Sequence, residues 1–361
     1  MLSDMSDTND AENEREITIW KRKLPLAMVF LACLLVISAF VSMFVGTLGP
    51  IGPGTPTSLS FGDAMRAILD PSNEWHLVFW EVRLPQILLA ALVGAGLACA
   101  GTAMQAVFRN PLADPFIIGV SSGAALGAAG ASLLGITAVA AAFTRPLFAF
   151  VSALGTVFVV YMLGTVKGRV QVYTLLLSGV AVASFLGAIV SFLIYFARQQ
   201  YHQLIFWLLG SLSLATWQVD LVLLCVVVSG VIIVFLYGRD LNALLLGEET
   251  AHSLGADPES LKKLMLGVAA LMTAAAVAFT GIIGFVGLIV PHMMRLVFGA
   301  NHRVLVPASA LFGASFMIWS HAIAISVIAP TRLPVGIITA LCGGPFFLYL
   351  LRRGRTGGEV K

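Results

Sequence analysis

Charged residues are scarce in this chain of 361 residues: Asp, Glu, Lys and Arg together make up 11% of it, while 59% of the residues are hydrophobic. Soluble domains carry about 25% charged and about 45–50% apolar residues, so the composition excludes an ordinary soluble protein. Long uncharged apolar runs recur along the chain, and a helix needs about 20 apolar residues to cross a bilayer. The sequence therefore predicts an all-α, polytopic membrane protein.

The chain also lacks the sequence patterns of several kinds of active site. It has no GxxxxGK[ST] pattern and no Gly-Lys dipeptide, so it carries no P-loop with which to bind and hydrolyse ATP. HExxH is missing, and the four cysteines form no CxxC pair. We therefore expect no enzyme activity, no metal site and no cofactor. The net charge of only +3 gives no reason to expect a nucleic acid partner.

Ionisable residues are missing from the middle of the predicted spans, and Asp220 lies close to the end of one. Ion-coupled transporters usually place such a residue at membrane depth, because the coupling ion needs a ligand there. Only His321 is available, and we expect it to bond a backbone carbonyl. The pattern favours an apolar pathway for a large substrate moved by an external motor. The alternative function is that of an ion-coupled secondary transporter of a large organic solute. An intramembrane enzyme would need paired catalytic residues at membrane depth, and the sequence has none there.

Apolar runs predict about ten transmembrane helices. The run from 264 to 298 is too long for one span, and we split it at Gly281 and Gly284. Clustered glycines in the spans predict a tightly packed bundle, because helices associate in lipid through close backbone approach. The predicted spans are 24–48, 84–108, 116–136, 146–166, 172–197, 218–237, 264–282, 283–298, 304–329 and 333–351.

The distribution of basic residues predicts the orientation. With the N-terminus inside, 16 of the 21 Lys and Arg residues fall on inner segments, as the positive-inside rule requires. We therefore expect a multi-pass protein of the inner (plasma) membrane with both termini in the cytoplasm. Residues 1–23 form a predicted disordered acidic tail, 24–353 the membrane domain and 354–361 a second cytoplasmic tail. The predicted outer basic residues are Arg66, Arg83, Arg145, Arg198 and Arg332.

Several distinctive sequence blocks occur in order between about residue 24 and residue 353. The blocks are Arg83-Leu-Pro-Gln, Met104-Gln-Ala-Val-Phe-Arg-Asn-Pro, Gly119-Val-Ser-Ser-Gly, Leu246-Gly-Glu-Glu, Gly284-Phe-Val-Gly-Leu-Ile-Val-Pro-His, His302-Arg-Val-Leu-Val-Pro and Leu333-Pro-Val-Gly-Ile-Ile-Thr-Ala. Together they resemble the FecCD-type permease family of iron-chelate, haem and cobalamin importers. One block alone would be a weak indication, but the ordered combination is specific.

The resemblance implies the permease of a type II ABC importer. Such an importer has a permease homodimer around one pathway, two cytoplasmic ABC ATPase subunits and an extracytoplasmic binding protein that delivers the metal chelate. A ferric siderophore or haem ranks first as cargo, and cobalamin second. The inner segment 238–263 matches the family's coupling helices, which contact the ATPase. Its candidate coupling residues are Gly247, Glu248, Glu249, Ala251 and Gly255.

The resemblance also implies a gate and a docking surface. Val172 and Tyr173 match the inner gate, although a tyrosine at the membrane interface is an equally good interpretation. Arg83 matches an arginine that docks the binding protein. The family's second arginine of that block is Gln86 here, and Arg332 is the candidate replacement. The alternative role for Arg83 and Arg332 is to anchor helix ends at the head-group layer.

Overall fold

The computed structural model describes residues 24–45, 61–73, 75–133, 138–196, 201–328 and 331–356, and this part is almost entirely helical. The predicted tail 1–23 and residues 357–361 lie outside it. The helices are α1 Leu24–Phe44, α2 Phe61–Leu69, α3 His76–Val78, α4 Leu84–Val107, α5 Val120–Leu133, α6 Ala138–Gly164, α7 Val172–Phe196, α8 Tyr201–Leu208, α9 Trp217–Leu236, α10 Gly238–Leu245, α11 Glu248–Ser253, α12 Pro258–Thr280, α13 Val286–Phe298, α14 His302–Ser326 and α15 Val335–Thr356. A π-helical turn, Phe79–Arg83, joins α3 to α4.

The apolar helices follow the ten predicted spans in number and order. Within the described ranges, seven helical stretches are long and apolar enough to cross a membrane; they contain α1, α3 with α4, α6, α7, α9, α12 and α14. Three shorter apolar helices, in α5, α13 and α15, occupy the other predicted positions. The membrane-spanning helical architecture is confirmed. Helix α15 continues to Thr356, beyond the predicted domain end at 353.

The predicted break in the long run 264–298 is confirmed. Helix α12 ends at Thr280, and Gly281 adopts a φ of 71° that disfavours any side chain. A Cβ on Gly281 would also collide with the carbonyl oxygen of Trp207. The freed carbonyl of Thr280 accepts a hydrogen bond from the amide of Ser211 at 2.7 Å. The segment after α8 thus supplies a hydrogen bond to the last carbonyl of α12.

Helix α4 is the centre of the bundle, packed by α9, α12, α13 and α14. Its small residues permit the close approach that the sequence predicts. Any Cβ on Gly94 would strike the backbone of Gly313, and one on Gly101 would strike the backbone of Gly287. Backbones in such direct contact gain dispersion energy that lipid tails cannot replace. Glycines thus set the spacing between α4 and both α13 and α14.

A short antiparallel hairpin connects α6 to α7 and was not anticipated from the sequence. Strands β1 Thr165–Val166 and β2 Arg169–Val170 pair through Thr165 with Val170 and Val166 with Arg169. The two loop residues, Lys167 and Gly168, both have positive φ values, of 51° and 80°. This backbone geometry suits a two-residue hairpin turn.

Segments predicted to share one side of the membrane contact one another. On the predicted inner side, Asn242 donates to the side chain of Asn301 at 2.9 Å, and Lys262 donates to the carbonyl of Val170 at 3.1 Å. On the predicted outer side, Arg145 and Arg332 line one cavity. The grouping of segments at two ends therefore agrees with the predicted topology. Which end faces the cytoplasm stays a prediction.

Candidate functional site

The predicted coupling segment folds as two short helices, α10 and α11, with a sharp turn at Gly247, whose φ is 119°. Ala251 is fully buried and fixes α11 against the bundle. Glu249 is exposed, and Gly255 follows α11 with a positive φ of 88°. Two leucines beside these residues, Leu246 and Leu254, leave 68% and 65% of their surface exposed.

Glu248 has a different environment from Glu249, because it pairs with the buried Lys262. The ammonium of Lys262 lies 3.3 Å from Glu248 Oε2 and 3.0 Å from Glu259 Oε2. It also donates to the carbonyl of Val170, whose amide donates to Glu259 Oε1 at 2.7 Å. We call Lys262, Glu248, Glu259 and Val170 the Lys262 cluster. It joins α11, α12 and the β1–β2 hairpin.

The start of α12 positions this cluster. Asp257 is the N-cap and accepts hydrogen bonds from the amides of Glu259 and Ser260. Hydrogen bonds from the Ser260 hydroxyl and backbone hold the pKa of Asp257 below its usual range. Glu259 then lies one turn before Lys262 on the same helix face. Only 2% of the Lys262 side chain is exposed, and an ammonium is buried only with compensating partners.

The candidate gate residues lie in the first turn of α7, directly after the hairpin. Val172 packs partly buried against the core, whereas Tyr173 leaves 76% of its surface exposed. The amide of Gln171 donates to the carbonyl of Gly164 at 3.1 Å, which fastens the end of the hairpin to α6. Val170 of the Lys262 cluster is three residues from Tyr173. The structure thus connects the candidate gate to the coupling segment, a link that sequence reasoning missed.

The two candidate docking arginines lie in unlike surroundings. Arg83 is only 4% exposed, and its Nη2 donates to the carbonyl of Ser42 at 2.9 Å. This hydrogen bond ties Arg83 to α1, while its Nε has no hydrogen-bond partner among the described residues. Arg332 is exposed at the start of the segment that leads to α15. Of the two arginines, Arg332 is exposed and Arg83 is buried in this structure, and docking of a binding protein on them stays a prediction.

Several buried polar side chains carry atoms without a hydrogen-bond partner among the described residues, and Asp220 and His321 are two of them. Asp220, in the first turn of α9, is 1% exposed, and neither carboxylate oxygen has a hydrogen-bond partner in the described part of the chain. His321 in α14 is 5% exposed, and its Nε2 has no partner there either. The expected carbonyl bond of His321 is thus not formed at that nitrogen. Across the same residues, no three His, Cys, Asp or Glu side chains form a group able to hold a metal ion.

Comparison with known proteins supplies the family context. The profile of the FecCD transport family matches residues 33–353. The cobalamin import system permease protein BtuC of Halobacterium salinarum is 45% identical over 317 residues, which are 88% of this chain and 85% of that protein. The hemin transport system permease protein HmuU of Yersinia pestis is 39% identical over 333 residues, covering 91% of this chain and 96% of the relative.

Solved structures agree with the helical architecture. An inward-facing structure described as a metal-chelate type ABC transporter superposes with a TM-score of 0.78 at 32% identity, and the match covers 91% of this chain and 99% of that one. A second match, PsaBC from Streptococcus pneumoniae in complex with a Fab, has a TM-score of 0.52 at 17% identity and supports the fold alone.

Proposed function

The chain belongs to the FecCD transport family and is a multi-span membrane permease of the ABC importer type; we propose that its own cargo is a metal chelate. Iron complexes of siderophores or haem rank first, and cobalamin ranks second. The observation that carries this proposal is the similarity along nearly the whole chain to permeases named for such cargos, one for cobalamin and one for hemin. The plasma membrane is the proposed location, with both termini in the cytoplasm.

The proposed importer contains two copies of this chain, two ABC ATPase subunits and an external binding protein. The need for a separate ATPase follows from the missing P-loop. The coupling segment supports ATPase docking, because Leu246 and Leu254 expose apolar surface next to the charged Glu249. Large exposed leucines at a polar rim are typical of a protein interface. Tyr173 is exposed enough to meet its counterpart in a second copy.

The Lys262 cluster is the proposed route from the ATPase to the gate. A displacement of α11 moves Glu248, and Lys262 must keep its carboxylate partners, since an unpaired buried charge costs several kcal/mol. Lys262 and Glu259 both hold Val170, one by its carbonyl and the other by its amide. A shift of α11 or α12 therefore pulls on the hairpin, which leads directly into Val172 and Tyr173. Gly247, Gly255 and the buried Ala251 give α11 its shape and its anchor.

The binding protein is proposed to dock on Arg332, while Arg83 fastens α3 and α4 to α1. An exposed guanidinium pairs bidentately with a carboxylate, and two-fold symmetry in a homodimer would present two copies of Arg332 around the pathway. Each exposed pair contributes only about 0–1 kcal/mol. Contacts to Arg332 would therefore orient the binding protein but contribute little to its binding free energy.

Uptake by a deletion strain tests the proposed function. Cells that lack this chain are supplied separately with a ferric siderophore, ferric citrate, haemin and cobalamin, each carrying a radioactive metal. We expect uptake of at least one chelate to fall to background and to return with a plasmid copy. A strain lacking an unrelated permease is the control. Unchanged uptake of every chelate would contradict the proposal.

A further inference from the structure

A cavity of about 300 Å³ with both polar and apolar walls opens at the predicted outer side of the bundle. It lies where α8, the segment after α8, the end of α12 and the segment before α15 meet. We call it the outer pocket. Its walls include the aromatic Phe279 and a set of hydrogen-bond donors: Arg145, Gln203, Trp207, Ser213 and Arg332.

The outer pocket has donors and positive charge but no balancing acid. Arg145 is half-buried and Arg332 is exposed, and neither forms an ion pair with a carboxylate of the described ranges. Among the described residues, no Asp or Glu lines the cavity. Arg145 and Arg332 thus place two positive charges on the wall of one small cavity, and an anion held there would balance them.

Trp207 supplies a second and independent indication. Its side chain is 6% exposed, and its Nε1 has no hydrogen-bond partner within the described chain. A buried indole N–H usually donates to an acceptor. Leaving a buried donor without its hydrogen bond costs about 1–3 kcal/mol. Because Trp207 lines the outer pocket, an acceptor atom held in the pocket could satisfy it.

We propose that the outer pocket binds an oxyanion on the periphery of the chelate, a carboxylate or a phosphodiester, as the cargo enters the pathway. The inference rests on the proposed function and adds a substrate class to it, namely chelates that carry at least one exposed anionic oxygen group. Arginine forks match such groups bidentately. The cavity holds one such group with its stem, while the rest of a large chelate stays in the pathway.

Citrate is the probe for the carboxylate and dimethyl phosphate is the probe for the phosphodiester. The purified full-length chain is placed in nanodiscs of phosphatidylcholine, and binding of each radiolabelled anion is measured by equilibrium dialysis. We expect saturable binding of at least one anion. The double variant Arg145→Gln plus Arg332→Gln should weaken it by about tenfold or more, which corresponds to about 1.4 kcal/mol. Trp207→Phe retains an aromatic ring but removes the indole N–H, and should weaken binding about threefold, since it deletes one neutral donor.

Arg66→Gln is the matched control, because Arg66 is an exposed arginine of α2 on the same predicted side but outside the pocket. It should leave affinity within about twofold, as expected for a remote screened charge. The proposal is overturned if the wild type binds neither anion, or if Arg66→Gln weakens binding as much as the double variant. Loss of binding when phosphatidylglycerol is added to the nanodiscs would assign the pocket to lipid head groups and would also overturn it.

The outcome of the anion-binding measurement is independent of the outcome of the uptake experiment that tests the proposed function. Anion binding needs neither ATPase nor binding protein, whereas chelate uptake needs both. Chelate uptake that depends on this chain, combined with no anion binding, would reject the pocket and keep the importer. Anion binding without any chelate uptake would reject the importer and leave an anion site on a membrane protein of other function.

Discussion

The ammonium of Lys262 lies 3.3 Å from Oε2 of Glu248, a residue fourteen positions earlier in the chain and on a different helix. This pair crosses from the membrane helix α12 to the coupling helix α11. The same ammonium holds the hairpin through Val170. One buried lysine therefore touches the segment proposed to receive force from the ATPase and the segment that leads to the proposed gate.

Removing the charge of Glu248 should loosen this connection. Glu248→Gln is expected to lower the apparent thermal unfolding temperature, with a free-energy loss below about 1 kcal/mol because Glu248 is partly exposed. Lys262→Met should cost about 1–3 kcal/mol, since it also deprives the Val170 carbonyl of its donor. Differential scanning fluorimetry in detergent measures both. Glu249→Gln, which removes an equal charge from the neighbouring exposed position, is the control and should not change the unfolding temperature.

The Lys262 cluster also predicts uncoupling. In the assembled importer, Glu248→Gln should reduce transport per ATP hydrolysed, while hydrolysis and ATPase association stay near wild type. Simultaneous measurement of chelate uptake and phosphate release in proteoliposomes gives this ratio. A variant that lowers uptake and hydrolysis in equal proportion would show that the cluster only stabilises the fold.

The exposed leucines of the coupling segment should contact the ATPase. Leu246→Asp and Leu254→Asp are each expected to weaken ATPase association about tenfold or more, because an aspartate in an apolar interface loses the burial energy and must be desolvated. Co-purification of the tagged ATPase reports association. Leu69→Asp, at a leucine 73% exposed on the predicted outer helix α2, is the matched control. Equal loss in the control would point to a general folding defect.

Tyr173 should lie near its counterpart in the proposed homodimer. In a variant with the four native cysteines replaced, Tyr173→Cys is expected to cross-link two copies through a short bis-maleimide. We expect this cross-link because a closed gate on a two-fold axis brings the same residue of both copies close together. Tyr195→Cys, 82% exposed at the opposite end of α7, is the control. Cross-linking at Tyr195 but not at Tyr173 would contradict an inner gate at this position.

Arg83 and Arg332 should respond differently to substitution. Arg83→Gln is expected to lower thermal stability by about 1–3 kcal/mol, because the buried carbonyl of Ser42 loses a charged donor. Arg332→Glu should leave stability unchanged and weaken association with the binding protein at low salt, with a smaller loss at high salt. Surface plasmon resonance at two salt concentrations tests the second outcome. A low-salt affinity equal to wild type would leave Arg332 without a docking role.

A substitution of Asp220 distinguishes the ATP-driven importer from the ion-coupled secondary transporter. It is a buried carboxylate in a membrane helix with both oxygens unpartnered in the described chain, the kind of group that could bind a coupling ion. If ATP drives transport, Asp220→Asn keeps the shape, removes the charge and should leave uptake within about twofold, since no step depends on its titration. Complete loss of uptake in a correctly inserted variant, with a matching response to a protonophore, would favour ion coupling.

The sequence by itself determined the membrane class, the number and order of the apolar spans and the break after Thr280. These features are local: a bilayer demands long apolar runs, and a glycine with positive φ ends a helix wherever it lies.

Only the tertiary structure decided what the charged residues do. In the sequence, Lys262 stands beside Lys263 and Arg83 stands near a helix start, and nothing near them distinguishes a solvated side chain from a buried one. Their roles depend on groups that arrive from distant segments: Glu248 and Val170 for Lys262, and Ser42 for Arg83. The electrostatic energy of a charge is set by its surroundings in space, and the order of residues along the chain does not specify those surroundings.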